Sequence, residues 1–70
     1  MKRTRVRSSN LQSVGYDPDS ATLEIQFLDG GIYQYSQVPA ATHAALMAAL
    51  SKGAYFDTHI KPRYRFRKVS

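Results

Sequence analysis

The alternation of apolar and polar residues in the first half of the chain predicts a β-meander. In residues 21–28, Leu23, Ile25 and Phe27 occupy one face and polar residues occupy the other. This is the pattern of a strand with one buried face. Residues 10–16 give a weaker strand signal of the same kind.

Two turns punctuate this half of the chain. Asp17-Pro18-Asp19-Ser20 forms the first, because Pro18 presets φ for the second turn position and Asp17 can cap the turn. Asp29-Gly30-Gly31 forms the second and leads into a returning strand over residues 32–38. A β-hairpin is therefore predicted around the two glycines.

The length of the hairpin loop decides which face Tyr33 and Tyr35 occupy. A three-residue loop, Asp29-Gly30-Gly31, pairs Phe27 with Tyr33 and Ile25 with Tyr35, so that all the large apolar groups share one face. A two-residue loop pairs Phe27 with Ile32 and moves both tyrosines to the polar face, because one residue of slip flips every side chain. The three-residue loop is favoured, since it gives the cleaner two-faced sheet and a glycine for the αL bulge position.

The second half of the chain predicts two helices and a closing strand. Pro39 opens an alanine-rich helix over residues 40–50, and Ser51 ends it and caps the next. A short amphipathic helix then runs from Ala54 until Pro62 stops it, and residues 63–67 alternate as a strand. The fold class is α+β: an antiparallel meander of about three to four strands, two short helices and a C-terminal strand.

Length and composition restrict the class of protein. The chain has 70 residues and no cysteine, so we expect a single domain over residues 1–70 without disulfides or a thiolate zinc site. No apolar run approaches the roughly 18 to 20 residues of a membrane span, and no apolar stretch follows the basic N-terminus as in a signal peptide. A soluble, cytoplasmic protein is expected, in which dimerisation is one way to gain buried area.

Positive charge is confined to the two ends of the chain. The net charge is +5, yet residues 8–51 contain no Lys or Arg. Residues 1–7 form a basic N-terminal segment, which we interpret as an edge strand or a tail, and residues 52–70 carry the remaining basic groups. Segregated charge of this kind creates a local positive field and indicates a polyanionic partner.

Arginines alternate with other residues at both ends. Arginine suits phosphate because its planar fork donates two hydrogen bonds at once, and each neutralised phosphate releases counterions. Three interpretations remain open: nucleic-acid binding, which is favoured, protection of an edge strand from aggregation, and binding of another acidic partner. The residues predicted to bind nucleic acid are Arg3, Arg5, Arg7, Lys61, Arg63, Tyr64, Arg65, Arg67 and Lys68.

Tyr33 and Tyr35 are candidates for stacking on unpaired bases. The favoured hairpin register instead makes them packing residues of the core, so both interpretations stay open. Tyr64, beside the arginines, is an equally good stacking candidate.

The remaining polar residues give weak signals for catalysis or metal binding. Ser8 and Ser51 suit bonds to nearby backbone and a helix cap, although Ser51 could also present a helix terminus to a phosphate. His43 and His59 have no cysteine near them, and no nucleophile elbow surrounds Ser51, Asp57 and His59. We therefore predict no enzyme, no cofactor and no metal.

An ordered set of short motifs resembles the KTSC domain family. The motifs are Ser8-Ser9-Asn10-Leu11, Val14-Gly15-Tyr16-Asp17, Leu23-x-Ile25-x-Phe27 with Gly30, Tyr33-x-Tyr35 before Val38-Pro39, and Ser51-x-Gly53-x-Tyr55-Phe56 with Ile60 and Tyr64. The resemblance covers roughly residues 6–66, and Asp57 stands where many members have asparagine. The family occurs as short bacterial proteins and at the C-terminus of some lysyl-tRNA synthetases.

The resemblance implies RNA binding and supplies no catalytic residue. Combined with the charge pattern, it predicts a small RNA-binding domain whose binding face lies where the two termini converge. The alternative is a protein-interaction or oligomerisation module, in which the Tyr33/Tyr35 surface or a helix face packs on another chain, such as a homodimer partner.

Overall fold

Five antiparallel strands form one sheet in the order β1-β2-β3-β4-β5 in a computed structural model that describes all of residues 1–70. The strands are β1 (Arg3–Arg5), β2 (Leu11–Asp17), β3 (Thr22–Phe27), β4 (Ile32–Tyr35) and β5 (Phe66–Lys68). Along the chain, β4 is followed by helix α1 (Ala40–Ala48) and helix α2 (Lys52–Tyr55). Helix α2 continues into a π-helical segment, Phe56–Ile60, before β5. The predicted α+β class and the C-terminal strand are confirmed, and the N-terminal basic segment is an edge strand.

The hairpin between β3 and β4 places the tyrosines on the predicted face but in a different register. Ile25 pairs with Tyr33 and Leu23 with Tyr35, so the pairing predicted from the sequence is displaced by two residues. The loop occupies residues 28–30 because Gly30, with φ of 97°, takes the αL position and Phe27 pairs across the loop with Gly31. An even shift leaves every side chain on the same face, which is why the predicted face is nevertheless correct.

One face of the sheet packs against the helices. Its apolar side chains and those of the helical segments form a core of buried residues: Leu11, Val14, Leu23, Ile25, Tyr35, Val38, Leu46, Phe56 and Ile60. The π-helical segment ends with the Lys61 N–H donating to the Phe56 carbonyl at 2.9 Å. Because Phe56 and Ile60 are both buried, this segment anchors the chain just before it turns towards β5.

The two basic ends do not converge. Strands β1 and β5 form opposite edges of the sheet, with three strands between them. The predicted convergence of the termini is therefore wrong, because a meander in which each strand pairs with the next separates its first and last strands.

Neither helix has the length and the apolar composition that crossing a membrane requires.

The C-terminal strand is also shorter and later than the alternation of residues 63–67 predicts. The N–H groups of Arg63 and Tyr64 both donate to the Ile60 carbonyl, at 3.1 Å and 3.2 Å. These bonds keep Arg63 and Tyr64 in a turn that follows the π-helical segment. Ladder bonding begins at Arg65, whose carbonyl accepts from the Ser36 N–H at 2.9 Å.

The open face of the sheet, away from the helices, carries a continuous polar network. Arg3 on β1 donates to Ser13 on β2 and forms an ion pair with Glu24 on β3. Glu24 accepts from Gln34 Nε2 at 2.8 Å, and Gln34 Oε1 accepts from Arg67 on β5 at 3.1 Å. Side chains of all five strands are therefore linked across this face.

Candidate nucleic-acid interface

Most of the basic side chains have no acidic partner. Arg3 is the one cation that forms an ion pair within the protein. Glu24, which is 6% exposed, balances its charge. The Arg3 guanidinium also donates to Ser13 and Gln26. Arg3 was predicted to bind phosphate, but its hydrogen-bond donors are already used within the protein.

The other N-terminal arginines are exposed but lie beside no cleft. Arg5 pairs with Ser13 at the β1 edge, and Arg7 lies in the connection that leads to β2. Both side chains remain available to solvent. Their charge can act on a polyanion at long range, without neighbouring groups to orient it.

The remaining predicted basic residues lie near the opposite edge of the sheet and form a surface that we call the basic edge. It consists of Lys61, Arg63, Arg65, Arg67 and Lys68, all exposed. Arg67 points to the open face, where it bonds Gln34. Lys68 pairs with Tyr33 and so lies on the helix side of β5. The segment therefore presents cations to both faces of the sheet edge.

A shallow cleft lies within the basic edge. Its volume is about 570 Å³, and it is lined by Ser36, Gln37, Arg63, Tyr64 and Arg65. Gln37 has φ of 57°, a conformation that carries backbone strain in a residue other than glycine. Two guanidiniums beside a hydroxyl and an amide form a surface rich in hydrogen-bond donors, as phosphate oxygens require.

A second cleft, which we call the aromatic cleft, opens on the helix side of the sheet next to β5. It has a volume of about 400 Å³ and is lined by Asn10, Phe27, Asp29, Tyr33, Tyr35, Phe56, Asp57, Lys61 and Phe66. This volume falls within the roughly 300 to 1,000 Å³ of small-molecule sites. The helices leave this part of the sheet uncovered, which is how apolar rings come to line an accessible surface.

Five aromatic rings form a closed circuit around the aromatic cleft. The centroid separations are 5.4 Å for Phe27–Tyr33, 5.7 Å for Tyr33–Phe66, 5.7 Å for Phe66–Tyr35, 5.3 Å for Tyr35–Phe56 and 5.5 Å for Phe56–Phe27. Edge-on and tilted contacts at these distances are favourable and hold the rings in place. The wall of the cleft is therefore preorganised.

Exposure distinguishes the members of this circuit. Tyr35 is 3% exposed and belongs to the core, Tyr33 is half-buried, and Phe66 is 58% exposed. The core interpretation of Tyr35 is confirmed, and Phe66 is the ring that offers a free surface for stacking. Tyr64 is half-buried and packs against the core.

The Tyr35 hydroxyl has no hydrogen-bond partner within the protein. Because no buried polar side-chain atom lacks a partner, this oxygen is accessible, and Tyr35 lines the aromatic cleft. Burial, and then the electrostatic influence of Tyr33 and Asp57, raises the pKa of Tyr35 to about 12. The hydroxyl therefore remains protonated at neutral pH and can donate a hydrogen bond.

Sequence reasoning did not assign Phe27, Asn10, Asp29, Phe56, Asp57 or Phe66 to a site. The alternation of residues 63–67 puts Phe66 on the strand face opposite the arginines, and this is the one signal for it in the sequence. The others come from separate elements, and only the packing of the π-helical segment on the sheet brings them together.

The serine residues support local structure. The Ser8 hydroxyl accepts from the N–H groups of Asn10 and Leu11, each at 3.2 Å. The Ser51 hydroxyl accepts from Ala54 N at 3.3 Å and caps α2, which confirms the capping interpretation. A Cβ added to Gly53 would collide with Asn10 Oδ1, so this glycine permits helix α2 to approach the start of β2.

The histidines take part in aromatic contacts. His43 stacks on Tyr16 with a centroid separation of 4.6 Å, and burial lowers the pKa of His43. His59 lies against Tyr55 at 4.5 Å. No three His, Asp or Glu side chains cluster in a way that could hold a metal ion.

Comparison with known proteins gives a consistent family assignment. The KTSC domain model matches residues 7–64. An uncharacterised protein of Stutzerimonas stutzeri is 41% identical over 70 residues, 99% of either chain. A lysine–tRNA ligase of Nostoc sp. is 36% identical over 62 residues, which are 89% of this chain and 11% of the ligase.

The same family appears among solved structures. The crystal structure of a KTSC domain protein from Yersinia pestis superimposes with a TM-score of 0.96 and 48% identity, covering 99% of this chain and 97% of that one. The resemblance carried by the sequence motifs is thereby confirmed over nearly the whole fold. This chain belongs to the KTSC domain family.

Proposed function

We propose that this domain binds single-stranded RNA along the basic edge and stacks a base on Phe66. The observation that supports this most directly is the position of Phe66. This exposed ring lies in the strand that carries Arg67 and Lys68, and at the mouth of a preformed aromatic cleft. Proteins that bind single strands combine a cationic track for the backbone with aromatic surfaces for the bases.

The charges of the basic edge suit this role. None of its side chains is paired with a carboxylate, so binding phosphate does not require breaking an internal ion pair. Counterion release then contributes to affinity for each phosphate that is neutralised. The cleft formed by Arg63, Arg65 and Ser36 gives one place for a phosphate beside the stacked base.

The relatives point towards RNA among the nucleic acids. A segment of a lysine–tRNA ligase is similar to nearly all of this chain, and the name of that protein specifies an RNA substrate. The proposal concerns binding alone, and the Ser51 hydroxyl has a structural role as the cap of helix α2.

A salt titration tests the proposed function. Fluorescence anisotropy with a labelled oligouridine of about 12 nucleotides should show an affinity that falls linearly on a log–log plot as salt increases. The DNA counterpart, oligodeoxyuridine, should bind more weakly. Micromolar or weaker binding with no dependence on salt would contradict the proposal.

Replacing Phe66 tests the stacking contact. Phe66→Ala should weaken oligouridine binding about tenfold, because stacking contributes about 1–3 kcal/mol per base. The melting temperature should change little, since Phe66 is 58% exposed. Leu50→Ala removes another exposed apolar side chain, 106% exposed and in the connection between the helices, and should leave affinity unchanged.

Light scattering separates this proposal from an oligomerisation role. β5 is an edge strand whose residues are all exposed, and such an edge can also pair with a second chain. A stable dimer that buries Phe66 and excludes oligouridine would favour the oligomerisation module.

A further inference from the structure

We infer that the aromatic cleft selects guanine among the four RNA bases. This inference rests on the proposed function and specifies which base of the bound RNA enters the aromatic cleft. It is carried by residues that line the same cleft: Asp57 with its carboxylate, Tyr35 with its hydroxyl, and the surrounding aromatic rings.

Asp57 supplies a free pair of hydrogen-bond acceptors. Its carboxylate makes no ion pair within the protein, although Lys61 lines the same cleft. Asp29, the other carboxylate of the cleft, already accepts from the Gly31 N–H at 2.9 Å. An ionised carboxylate only accepts, through two adjacent oxygens, so Asp57 selects for a partner with two adjacent donors.

Tyr35 supplies a donor next to these acceptors. Its ring is almost entirely buried, and Tyr35 lines the same cleft as Asp57. The hydroxyl has no partner within the protein, and because no buried polar side-chain atom is unpaired, it is accessible from the cleft. A ligand in the cleft can therefore accept its hydrogen bond.

Guanine matches this set of groups better than the other bases. Its Watson–Crick edge presents one acceptor, O6, followed by two adjacent donors, N1–H and the N2 amino group. Uracil offers a single donor on that edge, and adenine and cytosine each offer one amino group beside a ring acceptor that a carboxylate repels. Exposed bases are commonly recognised by stacking together with bonds to this edge.

The charges of the chain argue against a cationic side chain as occupant. Carboxylates and aromatic rings also attract ammonium groups. Here Lys61 lines the cleft, Lys68 lies on the same side of the adjacent strand, and the chain carries a net charge of +5. These groups repel a cationic segment and attract a polyanion that carries a base.

Four oligonucleotides test the inference on the intact chain. Each is an oligouridine of about 12 nucleotides with a central U, G, A or C, and affinity is measured by fluorescence anisotropy. The oligonucleotide with guanine should bind about tenfold more tightly than the other three, within the range of a bidentate base contact. Equal affinities for all four would overturn the inference and leave the proposed function standing.

Substitutions identify the groups responsible. Asp57→Asn exchanges one acceptor for a donor and should reduce the preference for guanine, measured as the ratio of the affinities for the guanine and the all-uridine oligonucleotides, to about twofold or less. Tyr35→Phe should weaken binding of the guanine oligonucleotide selectively. The control, Asp19→Asn, removes the same charge from an exposed turn and should retain the preference.

The remaining outcomes are also decisive. Retention of the full preference by both Asp57→Asn and Tyr35→Phe would overturn the inference, because the selectivity would then arise elsewhere. Absence of binding to every oligonucleotide, all-uridine RNA included, would overturn the proposed function and the inference together.

Discussion

The two basic ends of the chain have similar sequences, but the sheet gives them different surroundings. At the β1 edge, Arg3 lies across Gly15 and reaches Glu24, so its charge is balanced within the fold. At the β5 edge, Arg67 meets only the amide of Gln34, and Phe66 on the other side of the strand borders the aromatic cleft. The same alternation of arginines thus includes one arginine neutralised by a carboxylate at the β1 edge and none at the β5 edge.

This difference shows that the role of an arginine in a strand depends on whether a carboxylate on a neighbouring strand can neutralise it. Glu24 is the one acidic residue on β3, and it is shared by Arg3 and Gln34. Once Glu24 is occupied by Arg3, β5 has no carboxylate to pair with across the sheet. The structural role of Arg3 at β1 and the binding role that we propose for β5 both depend on that asymmetry.

The largest expected effect is on RNA affinity, and it appears when three positive charges are removed from one edge in one variant and from the other edge in a second variant. Arg63→Ala, Arg65→Ala and Arg67→Ala combined should weaken oligouridine binding about a hundredfold at about 0.1 M salt and lower the slope of the salt dependence by about 2. Lys2→Ala, Arg5→Ala and Arg7→Ala combined remove the same charge from the other end. They should change the slope by less than about 1.

Anisotropy titrations at several salt concentrations measure both slopes. If the two triple variants lose affinity equally, net charge alone governs binding and the contrast between the edges disappears.

A smaller effect is expected from loosening β1 alone. A Cβ added to Gly15 would lie 2.8 Å from the Lys2 carbonyl oxygen, which is too close for a relaxed contact. Gly15→Ala should therefore lower the free energy of unfolding by about 1–3 kcal/mol, as measured by urea denaturation. RNA affinity should remain that of the wild type, whereas a parallel loss of binding would show that β1 belongs to the interface.

The smallest effect concerns the charge of Glu24 and its dependence on pH. Burial alone would raise the pKa of Glu24, but hydrogen bonds from Gln34 and Arg3, with the charge of Arg3, hold it below its usual value of 4.5. The resulting stability is present above pH 4.5 and is lost as pH falls through the lowered pKa of the folded protein.

Glu24→Gln should therefore lower the free energy of unfolding by about 1–2 kcal/mol at neutral pH. The difference from the wild type should shrink as acid protonates Glu24. Urea denaturation between pH 7 and pH 3 measures this, with Asp19→Asn as the control for an exposed carboxylate. A difference that is constant across the pH range would mean that the ion pair with Arg3 adds nothing.

The hairpin shows how far alternation leads and where it fails. The side of the sheet occupied by Tyr33 and Tyr35 follows from period-two alternation, and it was predicted correctly. Their exact partners were not, because three-residue loops can be placed at more than one position around Asp29-Gly30-Gly31 without changing the face. The observed choice depends on which glycine adopts positive φ, and Gly30 does.

Arg63 and Tyr64 show a similar limit at the end of the chain. Strict alternation over residues 63–67 predicts a strand from its first residue, but the bonds to the Ile60 carbonyl continue the preceding turn. The alternation of apolar and polar residues does not reveal that a turn at the end of a helical segment extends into the first residues of a predicted strand. Five of the nine residues predicted to bind nucleic acid nevertheless lie together in the basic edge, because their charge and exposure do not depend on strand bounds.

The sequence by itself determined the class of fold, the family, the two-faced sheet and the segregation of charge, since these follow from periodicity, turn residues, ordered motifs and composition. The tertiary structure alone decided that the basic ends lie at opposite edges, that Arg3 is neutralised and that five aromatic rings surround a cleft. These features depend on contacts between residues far apart in the chain. Such contacts are set by the order of strands and the packing of a helical segment, and no local pattern specifies them.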